Sequence, residues 1–206
     1  MKTITIKKQK DLEKFKDDYG YHIEGNLELE CDIDIEGRLK VDGCIWSQAG
    51  YSIKAGYFIE AGGSIKAGNF IKAGGSIEAG YFIEAGNSIK AGNSIKAGNS
   101  IKAGDSIEAG DSIKAGDSIE AGDGISAGLY IICKTTLSFG LNAYAGIKTW
   151  GKATDEEKTI TCGKLIKGNI EYGILKETGL PDEPKAGKKV KIRLSDNQIV
   201  EGEIIE

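Results

Sequence analysis

The chain is poor in what catalysis, export and membrane insertion draw on. Its 206 residues include one histidine, one methionine, two prolines and two tryptophans. His22 alone cannot supply a two-histidine zinc motif, and no Ser-His-Asp set, P-loop or GxGxxG is present. The four cysteines (Cys31, Cys44, Cys133 and Cys162) lack CxxC spacing. They therefore read as reduced thiols, with Cys31 and Cys133 pointing inward, rather than as a zinc or redox site. No apolar run reaches the ~18 residues of a membrane span. The start, Met-Lys-Thr-Ile-Thr-Ile-Lys-Lys, has no apolar core of a secretory leader. With 27 basic and 31 acidic residues the chain has no strong field of either sign, which argues against a general basic nucleic-acid surface. The expectation is a cytoplasmic protein that is not an enzyme and needs no cofactor or metal.

What the chain does have is glycine, 30 of them, in a six-residue word. From Ile53 to Ile125 the word Ile-Lys/Glu-Ala-Gly-Xaa-Ser/Phe repeats without an insertion. Ile and Ala two apart share one face of a strand, while Ser and Lys or Glu take the other. The glycine, free to take positive φ, and the following Asn or Asp then make a corner. A glycine in every word excludes a helix. A short fixed period of this kind means a solenoid, in which each repeat buries its apolar residues only by stacking on its neighbours.

The fold class read from the pattern is all-β, a single-stranded β-helix of hexapeptide repeats. Counting in sixes carries the register back from Ile53 through Ser47, Val41, Ile35 and Leu29 to Ile23, with Leu27, Ile33, Leu39 and Ile45 as a third apolar column. Forward, it runs through Ile131, Leu137 and Ala143 to residue 154. Three words per coil would give a triangular rod of about seven coils and roughly 34 Å at the ~4.8 Å strand spacing. Lys66, Glu84, Lys102 and Glu120 would then stack with alternating charge. Phe58, Phe70 and Phe82, twelve apart, suit a two-sided coil instead. Residues 1–20 read as a cap, a strand at Thr3–Ile6 and a helix from Asp11 to Tyr19 with Leu12, Phe15 and Tyr19 on one stripe. Residues 21–154 are the solenoid. Residues 155–206 read as a small β-rich module, either a second cap or an interaction unit, with strands at 159–166, 169–175, 189–194 and 199–205. A loop is expected at 181–187 and a turn at 195–198.

Three surfaces invite a functional reading. Asp105, Asp111, Asp117 and Asp123 suggest a calcium ladder, but Asn87, Asn93 and Asn99 occupy the same position of the word, so a corner that takes either turn residue explains them better. The serine position shares its face with charges, which spoils an ice-matching plane. In the stretch 27–36, alternation along a strand would aim Glu28, Glu30, Asp32, Asp34 and Glu36 outward at ~6.7 Å intervals, comparable to nucleic-acid phosphates. Glu24 and Asp42 extend the set, stacking with Glu60 and Glu78 below Lys96 and Lys114. Like charges on adjacent rungs are destabilising, so either the fold uses them or they form a solvated face that serves solubility and edge protection. The outward aromatics Trp46, Tyr51, Tyr57, Phe58, Phe70, Tyr81 and Phe82 lie just beyond, as interface anchors or as stacked corner residues.

Ile23-Glu24-Gly25-Asn26-Leu27-Glu28-Leu29, followed by tandem Ser-Ile-Lys/Glu-Ala-Gly units, resembles two groups. One is the bactofilin repeat of polymer-forming cytoskeletal proteins. The other is a set of hexad-repeat proteins encoded by phages and prophages of Gram-positive bacteria, which shares the near-perfect word and the short non-repeat ends. The words report fold, so no functional residue carries over. The resemblance implies a phage protein in the bacterial host cytoplasm that inhibits a host defence protein, in the manner of anti-CRISPR proteins. The partner would be a nucleic-acid-binding effector such as a CRISPR nuclease, met by the acids and aromatics above, with neither nucleic acid nor membrane bound directly. A bactofilin-like scaffold is the alternative, and a homodimer stays open.

Overall fold

The structure, a computed structural model, describes residues 1–180 and the strands Lys189–Arg193 and Ile199–Glu203. The expected loop at 181–187 and turn at 195–198 lie outside the described residues. The chain winds as a β-solenoid of about nine stacked coils, about 18 residues per turn. In the regular part each coil lays down three three-residue strands, one on each side of a triangular prism. The first face carries Ile65–Ala67, Ile83–Ala85, Ile101–Ala103 and Ile119–Ala121; the second carries Ile53–Ala55, Ile71–Ala73, Ile89–Ala91 and Ile107–Ala109; the third carries Ile59–Ala61, Ile77–Ala79, Ile95–Ala97 and Ile113–Ala115. All pair in parallel, Ile on Ile and Ala on Ala. Every isoleucine of the word is sealed in the core, with 0–1% exposure from Ile53 to Ile131. Full burial of such a side chain is worth about 1.5–3 kcal/mol, so the stacked isoleucines are a main source of the rod's stability.

The repeat glycines are not there for positive φ. None from Gly56 to Gly140 has it. Their reason is close approach: a Cβ at Gly104 would overlap the carbonyl oxygen of Gly86, and at Gly86 that of Gly68, all the way up the corner. Only a residue without a side chain lets one corner sit on the next. The aspartates of the word spread over all three corners, and of the four only Asp105 and Asp123 stack, through Asp123 N–H to Asp105 O at 2.8 Å. That removes the geometric basis of a calcium ladder. The serines stack along the corners, with Ser100 and Ser118 hydroxyls 3.0 Å apart.

Two interruptions break the period, and the last coil shortens it, Thr159 pairing with Ile174 fifteen residues on. Between Ile45–Ser47 and Ile53–Ala55 the corner has two additional residues, with Gly50 at φ +88° in open space. The true predecessors of the Ile column are therefore Ile45, Leu39, Ile33 and Leu27, and Leu39 lies under Ile59. Counting in sixes had put Ser47 and Val41 there. Parity survives a shift of two, so inside stays inside. Cys31 consequently falls on a corner, half-buried, while Cys133 is buried as expected. The second break is an excursion at residues 146–158 after the bent strand Thr136–Ala145.

The rungs then resume. Thr159–Cys162 stacks on Ile131–Ile132, Ile174–Glu177 stacks on Thr159–Cys162, and Lys164–Tyr172 lies over Thr136–Ala145 across two faces. The expected boundary at 154/155 thus falls inside the solenoid, which explains about nine coils instead of seven. Lys189–Arg193 and Ile199–Glu203 form an antiparallel pair of their own.

At the front, Thr3–Ile6 pairs with Asn26–Leu29 on the first face and Lys16–Asp17 pairs antiparallel with Gly20–Ile23 on the third. On the second face the Gln9 side-chain amide bonds both backbone groups of Asp34, donating to O at 2.7 Å and accepting from N–H at 2.9 Å. The helix is a short 3-10 turn, Gln9–Phe15, that buries Leu12. Tyr19 leaves the expected stripe and stands exposed.

Candidate partner-binding site

The stretch 27–36 is not one strand. Asn26–Leu29 lies on the first face, Ile33–Ile35 on the second, and residues 30–32 turn the corner between them. Glu28 therefore points from one face, Asp34 from the next, and Glu36 from the corner beyond. The acids form a belt around the first coils, not a line with phosphate spacing. Most are also paired. Glu28 accepts from Thr5 Oγ1 at 3.1 Å, Glu30 meets Lys7 Nζ at 3.2 Å, and Asp32 accepts the Ser52 N–H at 2.8 Å. Asp34 pairs with Lys54, and Asp42 with His22 Nε2 at 2.9 Å.

The expected column of Glu24, Asp42, Glu60 and Glu78 is likewise redrawn. His22 and Lys40 stand below Glu60; Glu24 and Asp42 sit on a corner. Above them, Glu60, Glu78, Lys96 and Lys114 do stack, and Lys66, Glu84, Lys102 and Glu120 alternate as expected. Five ion pairs link neighbouring rungs, Lys40–Glu60, Lys66–Glu84, Glu78–Lys96, Lys90–Glu108 and Lys102–Glu120, while Lys54, Lys72 and Lys90 stack as like charges on the second face. Lys114, at the top of its column, lies 5.0 Å from the Tyr130 ring.

The aromatics are dispersed as well. The twelve-residue echo places Phe58, Phe70 and Phe82 on three different corners, with Tyr57, Tyr51 and Tyr81 beside them in that order, and Trp46 stands on the first face between Glu28 and Lys66. Nothing on the rod gathers these residues into one surface.

One corner joins two of them to a third ring from outside the set. Between the second and third faces at the front, Tyr57 (63% exposed) and Phe58 (46%) meet Tyr19 (74%), supplied by the turn after Lys16–Asp17. With Arg38 and Asp18 they enclose a cleft of ≈ 430 Å³. It adjoins a second of ≈ 540 Å³ that shares Asp18, Tyr19 and Tyr57 and is lined further by Glu36, Asp17 and Tyr21. Arg38 braces the wall. Its Nη2 donates to Asp17 Oδ2 at 2.9 Å, and its guanidinium lies 5.2 Å from the Tyr19 ring centroid. That bond holds the Asp17 carboxyl below its ordinary range. Behind it, Tyr21 Oη donates to Glu13 Oε1 at 2.7 Å. The bond, with burial second, pushes the Tyr21 phenol up to about 12. Among the described residues, Asp18 and Glu36 make neither an ion pair nor a side-chain hydrogen bond.

The two clefts together offer three exposed aromatic side chains and two uncommitted carboxylates, beside the resident cations Arg38 and Lys16. A further cation is the chemistry that rings and carboxylates both attract: ring faces through their quadrupole, carboxylates through charge-assisted hydrogen bonds. Of the expected site residues they include Glu36, Tyr57 and Phe58. Tyr19, Asp18 and Arg38 were not singled out from the sequence. The signal was there in Asp17-Asp18-Tyr19-Gly20, a turn former directly before the first third-face strand.

No helix among the described residues is long and apolar enough to cross a membrane. No protein-family model, characterised protein or solved structure matches the chain.

Proposed function

We propose that the protein is a non-enzymatic binding protein that docks its front corner onto the basic, nucleic-acid-binding surface of another protein and blocks it. The reading rests on one contrast. Many rod charges pair from rung to rung, and others, Lys72 and Asp105 for example, do not; what sets the Tyr19–Tyr57–Phe58 corner apart is that two carboxylates unpaired among the described residues, Asp18 and Glu36, stand beside three exposed rings. Large aromatic side chains at the centre and charge at the rim are how protein interfaces gain affinity and association rate. A phage-encoded inhibitor of a host defence nuclease is the setting that the hexad words suit. In that setting the corner takes lysine and arginine side chains that would otherwise hold nucleic acid.

The test is affinity capture from nuclease-treated bacterial lysate with the wild-type chain and with Asp18→Lys/Glu36→Lys. The wild type should retain a nucleic-acid-binding protein that both salt and added nucleic acid release, and the variant should retain none. Equal retention by the two chains, or retention indifferent to salt and nucleic acid, refutes the proposal. A self-assembling scaffold is the second reading. What favours it is the last coil, on whose outer edge no described strand pairs.

A further inference from the structure

The two ends of the rod differ. At the front the core is sealed, with Leu12 and Ile6 at 0–1% exposure. At the far end, Leu165 lies over Leu137, Ile170 over Ala143 and Leu175 over Ile160, all at inward positions. Leu137, Ala143 and Ile160 are fully buried. The residues one rung above them are not: Leu165 and Ile170 are half-buried and Leu175 is 38% exposed. Ile166, Ile174 and Leu180 stand exposed around them. The cross-section of the hydrophobic core is therefore open on the last coil. Its strand edge is only partly blunted, by Glu177, whose carboxylate accepts the Leu165 N–H at 2.7 Å. An apolar end with open edges templates association unless something covers it.

We infer that the C-terminal strand pair of the same chain, Lys189–Arg193 and Ile199–Glu203, covers this end by lying across Leu165, Ile170 and Leu175. Three observations select this occupant. The chain departs from here: Gly179 N–H bonds Gly163 O at 3.0 Å, which leaves Leu180 at the rim. The eight residues that follow reach up to ~27 Å when extended, enough to bring the pair onto the end. The pair itself needs a surface. In sequence Val190 and Ile192 alternate with Lys189, Lys191 and Arg193, and the pairing sets Ile192 opposite Val200 and Val190 opposite Gly202. The apolar residues of the pair thus fall at alternate, register-matched positions, and two strands alone are marginal in water. A tethered segment also acts at an effective concentration in the millimolar range, which outcompetes a second copy at micromolar concentration. On this inference the C-terminal pair keeps the rod from stacking end to end.

The test uses the full chain and Val190→Lys/Ile192→Lys. Backbone amide exchange over residues 164–177 is followed by mass spectrometry, with light scattering from about 1 to 100 μM. The wild type should be a monomer with slow exchange there. The variant should exchange at least tenfold faster over the same residues and self-associate as concentration rises, its strand circular dichroism unchanged. Val200→Lys, on the other strand, must act alike. Equal exchange in all three proteins, slow or fast, overturns the inference. So does wild-type protection that appears only as a dimer forms, which would make a second copy the cover.

Discussion

Gly104→Ala is the most direct test of why this rod needs glycine. A methyl at residue 104 overlaps the Gly86 carbonyl oxygen, so one corner must lift off the other. Lifting it strains two bonds between coils, Gly104 N–H to Ala85 O at 3.1 Å and Asp105 N–H to Asn87 O at 3.0 Å. Each is worth about 1 kcal/mol net, and the overpacking adds roughly 1–3 kcal/mol. Against this, alanine lowers the entropy of the unfolded chain, a gain of about 0.4–1 kcal/mol. The expected net loss is about 2–4.6 kcal/mol, the sum of those terms. Gly50→Ala is the control. Gly50 has φ +88° but nothing within 4 Å, so its alanine meets only left-handed strain, about 1–2 kcal/mol. Urea unfolding followed by circular dichroism measures both. If Gly104→Ala costs less than about 0.5 kcal/mol, within the range of an ordinary surface change, close approach between corners is not the reason for the repeat glycine.

Three further outcomes follow from the same contacts. Burial pushes the Cys133 thiol up to about 12 and raises Cys162 in the same direction, so neither should be alkylated by N-ethylmaleimide at pH 8 in the folded protein, while half-buried Cys44 should be, as intact-mass measurement will show. The Tyr21–Glu13 bond favours neutral tyrosine and ionised glutamate. Its contribution is present between the ordinary glutamate and tyrosine values, is lost on the alkaline side as pH rises through about 12, and is lost on the acid side as pH falls through the lowered Glu13 value. Tyr21→Phe should accordingly bring Glu13 back toward its ordinary value in an NMR titration. Ile101→Ala, in the sealed core, should cost about 2–5 kcal/mol, whereas Lys102→Ala, whose pair with Glu120 is more than half exposed, should cost under about 1 kcal/mol and less in high salt.

The regular coils were legible because two signals coincide there. Ile and Ala two apart fix the inward face, and a glycine every six fixes the corner. Both cues fail at the ends for identifiable reasons. The two-residue insertion near Gly50 preserves inside and outside, so Ser47 looked as well placed as Ile45. The last coils follow an excursion at residues 146–158 and replace the Ile-Xaa-Ala word by strands such as Lys164–Tyr172, so neither cue reaches them. The candidate site was half legible. Glu36, Tyr57 and Phe58 read as outward, but which outward residues meet depends on the corner each occupies. That follows from coil length and insertions, not from alternation. Tyr19 was lost to a helical stripe because Leu12, Phe15 and Tyr19 have helical spacing, while the actual 3-10 turn ends at Phe15.

A near-perfect repeat also limits where recognition can reside. Coils from Ile53 to Ile125 repeat one backbone at every ~4.8 Å step, so a partner reading backbone shape alone has several poses of nearly equal energy. A single pose requires side chains that occur once, and the front corner, with Tyr19, Arg38 and Glu36, combines several of them. Deleting residues 71–106 tests this. It removes two coils and joins Phe70 to Ile107, leaving the word intact. It also sets Lys66 below Glu120, Lys54 below Glu108 and Glu60 below Lys114, so opposite charges still face each other on all three faces. The shortened rod should fold and keep the affinity of the full chain for its partner, because the whole front corner is retained. Loss of binding by a folded, monomeric deletion variant would mean that the partner spans the rod or grips Tyr81 and Phe82, and would move the site away from the front corner.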